Sequence, residues 1–319
     1  MADIFADLNE QQREVIEATE GPVLVLAGAG SGKTRALTHR VAHLIQTNRA
    51  RPSEIVAVTF TNKAAGEMRE RVHGLLGGRF GVPRAISTFH SLGARMLRET
   101  PDFHERSKSF AILDTKDSEK LIRQALKEYN IPLKTWSPSA IRHVISRAKN
   151  NAQSLQDFIA SAQGGSGEIA AQVWPRYEQL LAKNDAYDFD DLLTKPVLML
   201  REHEAVRKAY QQRWRYLHVD EYQDTNPMQE RLLQLLLGPE KHICVVGDDY
   251  QAIYSWRGAQ VDHILQFESR YQNCRVIRLT QNYRSTPQIL EAAGEVIAKN
   301  QTQKHKKLWT RNAEGSQVT

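Results

Sequence analysis

The sequence of 319 residues has few cysteines, no long apolar run and no strong charge imbalance. Its two cysteines, Cys244 and Cys274, do not support a disulfide framework or a metal site. No stretch reaches the ~18 consecutive apolar residues that a membrane helix needs. The N-terminus, MADIFADLNEQQ, is acidic and polar, unlike a secretory signal. We therefore expect a cytoplasmic protein without membrane partners, in which Cys244, within the apolar run HICVVGD, is a buried thiol.

The composition is that of an ordinary globular protein, with 41% apolar and 25% charged residues. The length is sufficient for two or three domains. Lysine and arginine total 43 against 37 acidic residues, which gives a formal net charge of +6. This modest basic excess permits a polyanionic partner such as a nucleic acid, but does not require one.

Apolar runs alternate with amphipathic segments near both ends of the sequence. The strands GPVLVLAG and EIVAVTF are each followed by a helical pattern, TRALTHRVAHLI and NKAAGEMRERVHGLL, as in βαβ units of a parallel sheet. The pattern returns in RYLHVDEYQD, HICVVGDD and RVIRLTQNYRS. Between these parts, segments such as SEKLIRQALKEY have helical spacing. The predicted fold class is α/β, a parallel sheet with a mostly helical insertion.

These patterns predict a discontinuous first domain over residues 1–89 and 212–280, with the helical insertion over 90–211. Residues 281–319 then begin another domain. This last range contains a helical pattern, TPQILEAAGEVIAKN, and a basic stretch, Lys304–Lys307. We interpret this stretch as a solvated face, with contact to a nucleic acid as the alternative. Its final residues, EGSQVT, resemble the first residues of a strand.

A glycine-rich run, AGAGSGKT, follows an apolar strand and opens a helix, which is the context of a phosphate-binding loop. Its glycines allow the backbone to curl so that N–H groups face the phosphates, and the helix N-terminus adds a favourable dipole. Lys33 is expected to reach the β- and γ-phosphates of ATP, and Thr34 to bind Mg²⁺. The strict pattern has glycine where Ala27 stands. The residues predicted to hold the nucleotide here are Gly28, Ala29, Gly30, Ser31, Gly32, Lys33 and Thr34.

A carboxylate pair follows the apolar run YLHV. Asp220 is suited to hold the water shell of Mg²⁺. Glu221 is suited to act as a general base, or to position the water that attacks the γ-phosphate. An acidic pair alone is weak support for a site, but a strand before it and a phosphate-binding loop upstream favour the functional interpretation.

Eight ordered segments resemble those of superfamily 1A DNA helicases of the UvrD/Rep/PcrA type. They are LNEQQREVI, AGAGSGKTR, VTFTNKAA, STFHSLG, YDFDDLL, VDEYQDTN, VVGDDYQAIYSWRGA and QNYRS, and together they span the chain. The resemblance implies a RecA-like domain 1A over 1–89 and 212–280, a helical insertion 1B over 90–211, and the start of a second RecA-like half, 2A, over 281–319.

The resemblance also implies roles for further nucleotide-site residues. Gln12 would read the adenine edge, and Tyr283 would stack on the adenine. Gln251 would sense the γ-phosphate and couple it to DNA. Arg284 would contact the γ-phosphate, where a fixed guanidinium stabilises developing charge. Arg35 would lie near the nucleotide.

On the DNA side, the resemblance implies aromatic side chains that line a single-strand groove, on which bases stack at ~1–3 kcal/mol each. These aromatic residues are Phe60, His90, Phe189, Tyr254 and Trp256. For Phe60 and Phe189, packing in a core stays open as an alternative, whereas Trp256 lies in a polar segment. Phosphate contacts or small pocket walls are expected from Thr59, Asn62, Lys63, Thr88 and Ser91. Arg257 would contact the groove or pair with a carboxylate.

One residue departs from the family pattern. Tyr250 stands where these helicases usually have an acidic residue, so the hydrogen bonding of its turn is expected to differ.

The function implied by the resemblance is an ATP- and Mg²⁺-dependent single-stranded-DNA translocase and 3′→5′ helicase. It would act on single strands and single-strand/duplex junctions in DNA repair, replication or recombination, near the nucleoid. Because the family's later motifs do not follow, we expect part of a longer helicase that binds ATP and single strands weakly, with very low ATPase and no unwinding. A naturally short ATP- and DNA-binding module, a helicase–nuclease and an RNA substrate remain alternatives.

Overall fold

The computed structural model describes residues 4–104 and 106–317, without the side chain of Arg257. The strands of this part are β1 (Pro22–Ala27), β2 (Ile55–Thr59), β3 (Ala85–Thr88), β4 (Ala111–Leu113), β5 (Ala186–Asp188), β6 (Tyr216–Val219), β7 (Ile243–Gly247), β8 (Arg275–Leu279), β9 (Gln281–Asn282) and β10 (Trp309–Thr310). The helices are α1 (Glu10–Glu17), α2 (Lys33–Gln46), α3 (Asn62–Leu76), α4 (Phe89–Glu99), α5 (Thr115–Glu128), α6 (Pro138–Asn150), α7 (Leu155–Ser161), α8 (Gly165–Lys183), α9 (Asp191–Glu202), α10 (Glu204–Arg213), α11 (Pro227–Leu236), α12 (Asp262–Leu265), α13 (Phe267–Arg270) and α14 (Pro287–Ile297).

The chain divides into two compact units. The first unit runs to Thr88, resumes over Lys208–Thr225 and continues from Leu236, whereas Phe89–Arg207 and Asn226–Leu235 form the second. Residues Asn226–Leu235 therefore belong to the second unit, although they fall within the range 212–280 that was predicted for the first domain. One physical reason is a side-chain hydrogen bond, 2.7 Å long, from Asn226 Nδ2 to Asn150 Oδ1 in α6.

The first unit is built on a six-stranded sheet in the order β3-β2-β6-β7-β1-β8, and every neighbouring pair is parallel. Every residue of β1 and β2 is buried. Their sequences, PVLVLA and IVAVT, are continuous apolar runs, as a sheet covered on both faces requires. The α/β class with a parallel sheet, predicted from the sequence, is therefore confirmed.

Because the strands are parallel, the loops that follow β1, β2, β6, β7 and β8 leave the sheet at the same edge. The glycine-rich loop follows β1, Asp220 follows β6, and Asp248 follows β7. Cys244 lies within β7 and is buried, as expected from its apolar run.

The second unit has a helical core in which α5, α6 and α8 pack against one another. Buried side chains such as Ile122, Ile141 and Val173 recur at helical spacing on these helices. A two-stranded parallel sheet, β4 with β5, adjoins them. The insertion is thus mostly helical, as predicted.

The last part of the chain, in the first unit, forms the predicted helix, α14, but not the predicted strand. Helix α14 buries none of its residues, and its side chains Ile289 and Val296 are exposed. The strand expected from EGSQVT does not form over residues 314–317. Instead, β10 pairs with β9 immediately after the basic stretch.

Across the residues that the structure describes, no helix combines the length and apolar character needed to cross a bilayer.

Candidate nucleotide and nucleic-acid sites

The glycine-rich loop after β1 needs its glycines for different reasons. Gly30 and Gly32 have φ of +68° and +82°, in the left-handed region that favours glycine. Gly28 does not, but a Cβ on it would overlap the side chain of Leu308. Within the loop, the Ser31 hydroxyl donates to Gly28 O at 2.7 Å. The left-handed glycines therefore agree with the curled loop expected from the sequence, whereas the packing of Gly28 against Leu308 was not expected.

The first two residues of α2 meet the carboxylate pair that follows β6. Lys33 Nζ lies 3.0 Å from Glu221 Oε2, and Thr34 Oγ1 donates to Asp220 Oδ2 at 3.0 Å. A hydroxyl and a carboxylate are oxygen ligands, and Mg²⁺ prefers such ligands together with phosphate oxygens and water. The structure thus brings together four residues that were predicted to act on one nucleotide.

Glu221 has a strained backbone, with φ of 52°. A left-handed conformation in a residue other than glycine costs roughly 1–3 kcal/mol and often marks a functional site. Here it turns the chain so that Asp220 and Glu221 both face α2. The amide of Gln223, a residue that sequence reasoning did not identify, donates to Glu221 Oε2 at 2.9 Å and fixes the carboxylate.

Burial and, to a lesser extent, the nearby charge of Glu221 raise the pKa of Asp220 to about 6, against the opposing effects of Lys33 and Thr34. Since this pKa lies above the usual value for aspartate, the folded protein holds a proton on Asp220 at mildly acidic pH. Proton uptake by Asp220 therefore stabilises the folded protein at low pH, and this stabilisation is lost as pH rises through about 6.

Mg²⁺ binding is therefore expected to depend on pH. If Asp220 holds Mg²⁺ as predicted, the metal needs the ionised carboxylate, so below pH 6 the apparent Mg²⁺ affinity should fall about tenfold per pH unit, as for competition by one proton. Above about pH 7 the affinity should level off. Mn²⁺ titration followed by electron paramagnetic resonance, with ADP present, measures the profile from pH 5 to 8.

Asp220→Asn is the control, because nucleotide phosphates titrate equally in both proteins. The variant should bind the metal weakly and with a shallower pH profile. Parallel profiles for the two proteins would contradict the assignment.

The residues predicted for adenine recognition lie next to the phosphate-binding loop. Gln12 is buried and its Nε2 donates to Ser31 O at 3.0 Å. Asn9, which caps α1 and accepts a hydrogen bond from Gln12 N, also donates to Tyr283 OH at 2.9 Å. The Tyr283 side chain is 47% exposed, so its hydroxyl is anchored while its ring is accessible. Asn9 was not identified from the sequence.

The QNYRS segment also touches the loop. Asn282 Nδ2 donates to Ala29 O at 2.6 Å, and Tyr283 N donates to Gly30 O at 3.0 Å. The other end of the same amide, Asn282 Oδ1, accepts from Arg284 N at 2.8 Å. Arg284 is exposed, and its Cβ lies against Gly30. Asn282 thus shapes the turn that carries Tyr283 and Arg284. The only sign of this role in the sequence was its place within QNYRS.

Two further predicted residues lie nearby. Arg35 is exposed in the first turn of α2. Gln251 is also exposed, and its Nε2 donates to Asp248 Oδ2 at 2.6 Å. Asp248 N donates in turn to Gln223 Oε1 at 2.9 Å, so the contacts continue from Gln251 through Asp248 and Gln223 to Glu221.

The basic stretch Lys304–Lys307 is not simply a solvated face, and the expectation is wrong at Lys306. This side chain is buried, with Nζ 2.8 Å from Asp248 Oδ1 and in contact with the Asp249 carboxylate. The reason is that two buried carboxylates beyond β7 require a cation. Lys307 is exposed, as expected.

The nucleic-acid candidates of the first unit differ in exposure. Asn62 and Lys63 are exposed at the start of α3, and Phe60 is half-buried. Thr59 and Thr88 are buried at the ends of β2 and β3, which favours their interpretation as pocket walls over phosphate contacts.

A second group of candidates follows β7. Trp256 is 70% exposed, and the Tyr254 ring lies 6.4 Å from it, centroid to centroid. The neighbouring Ile253, not identified from the sequence, is also exposed. Arg257 was predicted as well, but its side chain lies outside the described residues.

Two of the residues predicted to stack on DNA bases lie together in the second unit. The rings of His90 and Phe189 stack, with centroids 4.0 Å apart and planes inclined by 25°. Burial lowers the pKa of His90 to about 4, so its ring is neutral near pH 7. Phe189 is 55% exposed, so in this conformation it does not pack in a core. Its exposed face is available for stacking.

Comparison with known proteins agrees with these features. Residues 8–272 match the model of the UvrD/REP helicase N-terminal domain. Among curated relatives, a protein of Bacillus subtilis named ATP-dependent DNA helicase PcrA is 45% identical over 99% of this chain and 43% of its own length. Proteins of the same name from Leuconostoc citreum and Staphylococcus aureus are 43% identical over 98% and 100% of this chain.

The chain spans 43% of the length of the Bacillus relative and 42% of the Leuconostoc relative. The matched family domain covers most of the chain, including the glycine-rich loop, the carboxylate pair and Gln251. The chain therefore belongs to the UvrD/REP helicase N-terminal domain family.

Proposed function

We propose that these residues form the nucleotide-binding part of an ATP- and Mg²⁺-dependent motor that moves on single-stranded DNA and unwinds duplexes in the 3′→5′ direction. In this proposal a second RecA-like half completes the ATP site, and junctions of single and double strands are the substrates. The motor serves DNA repair, replication or recombination at the nucleoid in the cytoplasm.

One observation carries the nucleotide part of the proposal. Lys33 and Thr34, which open α2, each contact one member of the carboxylate pair, at 3.0 Å. This arrangement gives a cation for phosphates, oxygen ligands for Mg²⁺ and a carboxylate for water. Lys33 also forms an ion pair with Glu221. We infer that bound phosphates compete for Lys33 and release the Glu221 carboxylate to act on water.

The alternative of a pure binding module is less consistent with this geometry, because Lys33 and Thr34 contact the carboxylate pair and Gln251 contacts Asp248. Family membership and the names of the relatives, which describe ATP-dependent DNA helicases, support the motor.

The activity test uses the full-length natural protein. ATP hydrolysis should rise when single-stranded DNA is added, and duplexes with a 3′ single-stranded tail should be unwound in preference to duplexes with a 5′ tail. ATP hydrolysis indifferent to DNA, or a preference for the 5′ tail, would overturn the proposal. Equal stimulation by single-stranded RNA would favour the RNA alternative.

For DNA binding, Trp256→Ala should weaken the affinity for oligo(dT) by about 5- to 150-fold, because one stacked base contributes ~1–3 kcal/mol. Trp256 is the most exposed aromatic candidate, and stacking does not depend on base identity. Fluorescence anisotropy of a labelled oligonucleotide at fixed salt gives the dissociation constants.

The matched control is Tyr129→Ala, which removes another exposed aromatic ring, at the end of α5, outside every candidate motif. Its affinity should match that of the unaltered protein. Equal losses in the two variants would show that Trp256 has no specific role.

A further inference from the structure

The loop after β7 contacts a buried cation, Lys306, that is far from the loop in the sequence. Lys306 Nζ lies between the carboxylates of Asp248 and Asp249, and all three side chains are at most 2% exposed. Asp249 also accepts a hydrogen bond from Lys304 N at 2.7 Å. Removing the ammonium would leave two buried carboxylates without a countercharge, which strongly disfavours the present arrangement.

Tyr250 also contacts Lys306. Its ring centroid lies 3.7 Å from Lys306 Nζ, within the range of a cation–π contact. Its hydroxyl accepts a hydrogen bond from Lys306 N at 3.1 Å. The acidic residue usual at this position in the family would add a third carboxylate. Tyrosine instead offers a neutral surface that holds both the backbone and the side chain of Lys306.

The same carboxylate orients Gln251. Asp248 accepts from Gln251 Nε2 with Oδ2, at 2.6 Å, and contacts Lys306 with Oδ1, at 2.8 Å. Of the two hydrogens on Nε2, one is used by Asp248, and the other remains for an acceptor such as a phosphate oxygen. The orientation of the Gln251 amide therefore depends on an Asp248 that is held from its other side by Lys306.

The segment that carries Lys306 also touches the phosphate-binding loop. Leu308 packs against Gly28, and β10, which begins at Trp309, pairs with β9, which leads into Tyr283 and Arg284. One short segment thus contacts both the loop that would hold the phosphates and the loop that carries Gln251.

We propose that Lys306 is a positioning residue for γ-phosphate recognition, which acts on Gln251 through Asp248. The proposal rests on the nucleotide site described under the proposed function. Lys306 does not touch the nucleotide. It restrains Asp248, so that Gln251 presents its second amide hydrogen in one direction. The site thereby distinguishes a triphosphate from a diphosphate.

The test compares the dissociation constants of ADP and of the non-hydrolysable analogue AMP-PNP, by calorimetry on a polypeptide of these 319 residues. Lys306→Met should lower the preference for AMP-PNP over ADP about tenfold, as expected for loss of one charge-assisted hydrogen bond. The affinity for ADP should change less than twofold. A merely structural role would weaken both ligands alike. Lys307→Met, the exposed neighbour, should leave both constants unchanged.

If Lys306→Met fails to fold, Lys306→Met combined with Asp249→Asn removes one of the unpaired carboxylates and leaves Asp248 unrestrained. This double variant should show the same loss of preference. A folded variant that keeps the preference of the unaltered protein for AMP-PNP would overturn the role of Lys306 but not the nucleotide site. Equal binding of AMP-PNP and ADP by the unaltered protein would have the same consequence. An unaltered protein that binds neither ligand would overturn the proposed nucleotide site as well.

Discussion

Lys33→Ala is expected to weaken binding of Mg·ATP by about a hundredfold or more. An ammonium that donates two hydrogen bonds to phosphate oxygens contributes roughly 1.5–3 kcal/mol for each of them. The loss of the ion pair with Glu221 Oε2, which lies 3.0 Å from Lys33 Nζ, offsets part of this gain. Fluorescence of a labelled ATP analogue, titrated with a polypeptide of these 319 residues, measures the loss.

Glu221→Gln is the matched control, because it breaks the same ion pair from the other side. Its effect on affinity should be small, or slightly favourable, since it removes a negative charge near the phosphates. If binding depended only on an intact Lys33–Glu221 pair, the two variants would lose affinity equally. That result would contradict a phosphate-binding role for Lys33.

Lys149→Met is expected to destabilise the second unit by about 3–5 kcal/mol, because removing one partner of a buried ion pair leaves uncompensated charge. Lys149 Nζ lies 2.8 Å from Asp188 Oδ2, 2.7 Å from Asp191 Oδ1 and 3.0 Å from Glu178 Oε1. Although burial lowers the pKa of Lys149, the Asp188 and Asp191 carboxylates raise it well above its usual value. Urea unfolding followed by circular dichroism measures the change.

Two comparisons make this prediction specific. Lys127→Met, at an exposed position of α5, should change stability by less than about 0.5 kcal/mol. The effect of Lys149→Met should also shrink toward pH 5, where the unpaired carboxylates can take up protons. Burial and the Asp188 charge already raise the pKa of Asp191 to about 7. A destabilisation below 1 kcal/mol, or one that grows on acidification, would contradict this account.

This charge cluster also explains how Phe189 remains exposed. Asp188 and Asp191 flank Phe189, and Asp191 N donates to Asp188 Oδ1 at 2.8 Å. The two carboxylates fix the turn from β5 to α9 while the ring between them faces outward. From YDFDDLL alone, packing and stacking were both open for Phe189, because the alternation of polar and apolar residues fits either.

The nucleotide loop and the carboxylate pair could be predicted because they depend on local pattern. An apolar strand followed by AGAGSGKT and a helix, or by Asp220 and Glu221, places groups at the end of a strand. Parallel strands then bring such ends to one edge. The roles of Gln223 and Asn282 could not be predicted this way, since a lone amide carries no periodic signal and its value depends on its partners.

The basic stretch Lys304–Lys307 shows most clearly what could not be predicted from the sequence. A run of lysines near the end of a chain is usually solvated, and Lys307 follows that rule. Lys306 does not, because the chain folds back to place it beside Asp248 and Asp249. No composition or spacing near Lys306 encodes that contact, since it depends on where the loop after β7 lies.

The sequence by itself determined the α/β class, the positions of the glycine-rich loop and the carboxylate pair at strand ends, and the helicase family, because each depends on residues that are close in the chain or on ordered motifs. The tertiary structure alone decided that Gly28 makes room for Leu308, that Phe189 is exposed, and that Lys306 holds Asp248. These are contacts between residues far apart in sequence, and burial, which turns a solvated lysine into an essential countercharge, exists only once the chain has folded.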